Sequence, residues 1–151
     1  MDLSFQEKSH WASLIAIVGV FGYHFYNVFV AVEAITTIEF MVRLIGVIIV
    51  IVVIEIALHI IIAITAIKDA EDGGALDERD VLVNHKAYRN AYVVLFIGIL
   101  HMIGYVVAGD INGGLRWQVT PGNIANLLLL VLVVAEIVNY ASRLYYYRRG
   151  I

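Results

Sequence analysis

Glu55 and His59 lie one helical turn apart in "IEIALHI", inside the apolar run Leu44–Ile67. Three more ionisable side chains stand deep in other apolar runs: His24, His101 and Glu136. An ionisable group at a bilayer centre costs several kcal/mol, so such groups turn toward a protein interior and find partners there. The i,i+4 spacing puts Glu55 and His59 on one helix face. The same rule groups Glu136, Asn139, Tyr140 and Arg143 on another.

Three kinds of chemistry suit this set. The leading expectation is a divalent-metal site. Imidazole and carboxylate without thiolate suit Zn, Mn or Fe, and helix bundles build such sites by projecting ligands inward from facing helices. The candidate ligands are Glu55, His59, His101, Glu136 and His24. The role would be metal binding, handling or sensing. A di-iron oxidase is disfavoured, because its pattern needs Glu-x-x-His twice and four carboxylates. Here the spacing is Glu-x-x-x-His, once. Haem is disfavoured too: His59 and His101 could ligate it axially, but their spacing is no haem signature. The second kind is a proton or cation path, since Glu and His chains inside membranes mark proton relays and histidine titrates near neutral pH. The third is a non-catalytic accessory protein, in which the same groups hydrogen-bond across helices and fix their register.

Other chemistry is excluded or unsupported. The chain has no cysteine, which removes disulfides and thiolate sites. "GDINGG" has neither Walker nor dinucleotide spacing and no strand before it. No Ser-His-acid arrangement or nucleic-acid motif is present, so no catalytic residue is expected.

The elements that must position these groups are membrane spans. The chain has 151 residues, 62% hydrophobic, against about 45–50% for soluble domains. The excess forms four runs, Trp11–Val32, Met41–Ile67, Ala87–Ala108 and Asn123–Tyr147. Each is near or above the roughly 18–20 residues that cross a bilayer. The expected fold is an all-α four-transmembrane-helix bundle in a single domain, 1–151, with helices about 5–32, 41–68, 77–108 and 121–147. Counting at about 1.5 Å per residue puts the five ionisable groups in one central slab, about 10–15 Å thick. "MDLSFQEKSH" does not resemble a cleaved signal peptide, so the first run is expected to stay as a helix.

Charge and caps add orientation. Eight of the ten Lys and Arg residues fall on the side that carries both termini: Lys8, Lys68, Arg79, Lys86, Arg89, Arg143, Arg148 and Arg149. The positive-inside rule places that side, and both termini, in the cytoplasm. Ser4 with Glu7 fits a capping box. Asp77 fits the cap of the third helix, with "EDGG" as the break before it. Thr120 before Pro121 fits an N-cap with proline at the first helical position. Glu33 and Glu39 are expected in one outer loop, and "DINGGLRW" (Asp110–Trp117) as the other.

"GYHFYNVF" (Gly22–Phe29) reads as packing plus an interfacial belt, with a ligand-lining face as the alternative. The Asp77–Arg89 segment offers a surface for a cytoplasmic partner, against a solvated helix start with local ion pairs. The remaining expected partners are the lipid bilayer and a homo-oligomer.

Three short motifs carry a resemblance. "SFQEK" before the first span, "DERD" before the third and "YYRRG" at the end of the fourth are similar to a group of small, uncharacterised bacterial four-helix membrane proteins. The likeness of layout covers nearly the whole chain. It implies a bacterial inner (plasma) membrane and no particular activity.

Overall fold

The computed structural model describes residues 5–30, 37–66, 78–111 and 120–150. They form four helices: α1 (Phe5–Phe29), α2 (Thr37–Ala66), α3 (Glu78–Ile111) and α4 (Pro121–Arg149). All four are long and apolar enough to cross a membrane. The chain is therefore all-helical and built as a multi-pass membrane protein. Ser4, Glu33, Asp77, "EDGG" and Trp117, given capping and loop roles above, lie outside the described residues.

Each boundary has a local cause. Thr120 caps α4: its backbone is extended and its hydroxyl accepts from the Asn123 N–H at 3.2 Å. Pro121 follows where a missing N–H costs nothing. Gly150 ends α4 at φ 70°, a left-handed conformation that lets its N–H reach back to the carbonyls of Tyr146 and Tyr147. Only glycine takes that conformation without a Cβ penalty. Two boundaries differ from expectation. Glu39 belongs to the first turn of α2, where a carboxylate complements the helix dipole. Asp110 and Ile111 belong to the last turn of α3, whose helical ladder runs on through Gly109.

Side-chain pairs set the helix order. Ser9 meets His59 and Ser13 meets Glu55, so α1 and α2 run antiparallel. His10 lies against Tyr140 and His24 against Asn126, so α1 and α4 run antiparallel. Arg79 reaches Tyr147 and Asn90 reaches Ser142, so α3 and α4 do too. The helices thus form a row of neighbours, α2–α1–α4–α3. The start of α1 and the end of α4 share one end of this row, where Arg148 stacks on Trp11 at 5.7 Å.

The apolar core is one small cluster in mid-bundle. Ile17, Phe21 and Phe25 of α1 bury against Val133 of α4, with Val47 and Ile51 of α2 beside them. Aromatic stacking of Phe21 on Phe25 and of Phe25 on Phe29 orders that face of α1. The α3–α4 seam is closer. A Cβ on Gly98 would run into the Val131 side chain. Small residues at such crossings let helix backbones approach, the usual basis of packing in lipid.

That contact yields a test. Gly98→Val should destabilise the α3–α4 pair by about 1–3 kcal/mol, the usual penalty of overpacking. A lowered thermal unfolding midpoint in detergent, largely restored by the double variant with Val131→Ala, is the expected result. An unchanged midpoint in Gly98→Val would show that the seam is loose.

Candidate functional site

A polar cluster lies along the α2–α1–α4 row, toward the end that carries both termini. Its first part is the Glu55/His59 pair. The Ser13 hydroxyl donates to Glu55 Oε2 at 2.8 Å. His59 Nδ1 lies 2.8 Å from the Glu55 backbone carbonyl and 3.4 Å from its carboxylate. A carbonyl oxygen only accepts, so Nδ1 carries the hydrogen. Nε2 then faces the Ser9 hydroxyl at 3.2 Å. Ser9 and Ser13 stand one turn apart on the buried face of α1, opposite the matching turn of α2. Glu55 is mostly covered, its side chain 23% exposed, whereas His59 is 53% exposed.

The second part is His10, a residue that sequence reasoning placed before the membrane. It is buried between two tyrosines of α4, with ring centroids 5.9 Å from Tyr140 and 5.8 Å from Tyr147. The Tyr140 side chain faces Ser13. The Tyr147 hydroxyl donates to Asp80 at 2.6 Å on α3. Side chains from all four helices therefore form one row: Glu55, Ser13, Tyr140, His10, Tyr147 and Asp80. Two atoms in the row, Glu55 Oε1 and His10 Nε2, are buried without a hydrogen-bond partner among the described residues. An unpaired buried polar atom is costly in a low-dielectric interior, so these two mark the positions where added chemistry gains most.

The five groups expected in one layer fall in separate places. Glu55 and His59 stay together on α2. His24 is buried on α1, but toward the other end, where its Nε2 lies 3.2 Å from Asn126 Oδ1. The Asn126 amide nitrogen donates to the Gly122 carbonyl, which turns its oxygen toward His24. Glu136 is on the exposed side of α4 and accepts from Asn139, which in turn accepts from Arg143. His101 is exposed on α3. The cause is the row of helices: each outer helix presents only one face to a neighbour. Among the described residues no group of three or more His, Asp or Glu side chains is placed to hold a metal ion. Zinc sites use three or four protein ligands, so Glu55 with His59 supplies part of such a set.

Part of the 78–89 segment packs against α4. Arg79 donates to the Tyr147 carbonyl at 2.7 Å, Asp80 accepts from the Tyr147 hydroxyl, and Lys86 lies over the Tyr146 ring. Farther along, Asn90 donates to Ser142 and Tyr146, and Arg143 stacks on Tyr88 at 4.9 Å. The signal for His10, Ser9 and Ser13 was present in the sequence. Serines at i,i+4 form the small polar stripe that favours close helix contact.

The comparisons with known proteins return no relative: no family model, curated protein or solved structure matches this chain.

The geometry separates two substitutions. Ser13→Ala leaves the Glu55 carboxylate without its only side-chain donor from α1. It should cost about 1–2 kcal/mol, above the ~0.6 kcal/mol average of an interhelical hydrogen bond in a membrane. His101→Leu, on the outer side of α3, should cost nothing measurable. Thermal melts in one detergent check both. Equal losses at the two positions would contradict the arrangement described.

Proposed function

We propose that this chain is a bacterial inner-membrane protein that binds protons reversibly at Glu55, with access from the end that carries both termini. The observation that carries this reading is the row from Glu55 through Ser13, Tyr140, His10 and Tyr147 to Asp80. Every member can give or take a proton, and the row runs from the middle of α2 to the start of α3. The step across His10 is made of ring contacts, so transfer there needs a ring rotation or a bridging water. On the far side of Ser13 the buried face of α1 carries only Ala16, Ile17 and Phe21 before His24. That apolar stretch supports a one-sided site, suited to sensing or coupling, rather than a continuous conductor.

Location and orientation belong to the same proposal. The concentration of Lys and Arg at the shared end favours the cytoplasm for both termini. The "SFQEK", "DERD" and "YYRRG" motifs favour a bacterial origin.

An infrared pH titration of the protein in lipid tests the site. The parent should show a protonated-carboxyl band that appears as pH falls and is absent from Glu55→Gln. A titration identical in the two proteins would refute the proposal. Proteoliposomes under an imposed pH gradient should leak no faster than protein-free vesicles. A leak abolished in Glu55→Gln would instead establish a conductor.

One observation favours divalent metal as a second reading. His59 bonds a carbonyl through Nδ1 and turns Nε2 toward the Ser9 hydroxyl, the arrangement that orients metal-ligating histidines, and Glu55 Oε1 beside it has no partner among the described residues. The remaining ligands would be water or side chains of a second copy. Elemental analysis after loading with Zn, Mn or Fe decides: one metal per chain in the parent, lost in His59→Ala, supports it, and no retained metal removes it.

A further inference from the structure

The other end of the α1–α2 seam holds a cavity of about 640 Å³, lined by residues of both helices. We infer that it binds an anionic phospholipid, whose phosphate pairs with Arg43 while an acyl chain lies along Val20, Val47 and Val50. The volume falls within the roughly 300–1,000 Å³ of small-molecule sites, enough for a headgroup and the start of a chain.

The chemistry of the lining divides in two. Val20, Val28, Val47 and Val50 form an apolar wall. Tyr23, His24, Asn27 and Arg43 supply the polar atoms, and Arg43 carries the single formal charge. Two of these polar groups are held in place: the Asn27 amide donates to the Tyr23 carbonyl at 2.8 Å, and His24 is fixed by Asn126. Arg43 stands in the second turn of α2, near its end, where a long cationic side chain reaches the headgroup level while its stem stays in apolar surroundings. Both helices are long and apolar enough to span a membrane, so the medium beside an open groove at this depth is lipid. A guanidinium over an apolar groove complements a phosphate on an acyl chain. Glu39 lies one turn earlier on the same side of α2, and its charge opposes an anion there.

Gly46 gives a clean block. A Cβ at this position meets nothing within 4 Å, and leucine is the better helix former. Gly46→Leu therefore fills the cavity while keeping the fold.

Native mass spectrometry of the full chain in detergent, titrated separately with phosphatidylglycerol and phosphatidylcholine, reads the site. The parent should prefer phosphatidylglycerol about tenfold, the equivalent of about 1.4 kcal/mol. Arg43→Gln should abolish the preference. Gly46→Leu should weaken both lipids several-fold, and Glu39→Gln should raise the preference for phosphatidylglycerol. Arg149→Gln, at the opposite end, should change nothing. An unaltered preference in Arg43→Gln, or unaltered binding in Gly46→Leu, would overturn the assignment. Competition by millimolar inorganic phosphate as effective as that by the lipid would also overturn it, since the site would then hold a free anion. None of these readouts involves Glu55, so failure here leaves the proton-binding proposal standing, and the reverse holds as well.

Discussion

Hydrocarbon offers no hydrogen-bond partner, so each polar side chain inside the membrane must find one on another helix or stay unsatisfied. The position of each helix follows from that constraint. α1 is the least apolar of the four spans and has the largest buried share, whereas α2 is the most apolar and has no buried residue in its most apolar stretch. Ser9, His10, Ser13 and His24 face neighbours because α1 lies between α2 and α4. The greasiest helix is left on the outside, where its isoleucines and valines meet lipid at no cost.

The same constraint divides the seams lengthwise. Ile17, Phe21, Phe25 and Val133 fill the centre, with Val47 and Ile51 beside them. One polar region lies toward the shared termini, and another surrounds His24 at the opposite end. The aromatic rings of α4 bridge the first region to α3. Tyr147 bonds Asp80 through its hydroxyl, accepts from Arg79 through its carbonyl and flanks His10 with its ring. Tyrosine suits this place because one end of the side chain is apolar and the other is polar.

Local features were legible in the sequence, and neighbour choice was not. The four spans follow from hydropathy and length. Thr120 with Pro121 followed from capping rules, and the Glu55/His59 face from helical periodicity. Antiparallel packing of α1 on α2 and of α3 on α4 accords with short connections. Which helix pairs meet beyond that is a property of whole surfaces. Placing His101 and Glu136 inward assumed that each helix turns its ionisable groups toward the other three. In a row, α3 packs chiefly on α4, so His101 stays outside. His10 was missed for the opposite reason: it stands one residue before the apolar run that begins at Trp11, although the expected helix from about residue 5 already contained it.

The polar stripe on α1 also bears on the order in which the molecule can assemble. α1 is made first, yet its partners come later. Glu55 follows Ser13 by 42 residues, and Asn126 follows His24 by 102. At a synthesis rate of about 5–20 residues per second, His24 waits on the order of ten seconds for its acceptor. During that interval His24 lacks the acceptor that it has in the finished fold. The buried contacts of His10 and His24 are thus completed only once α4 is in place.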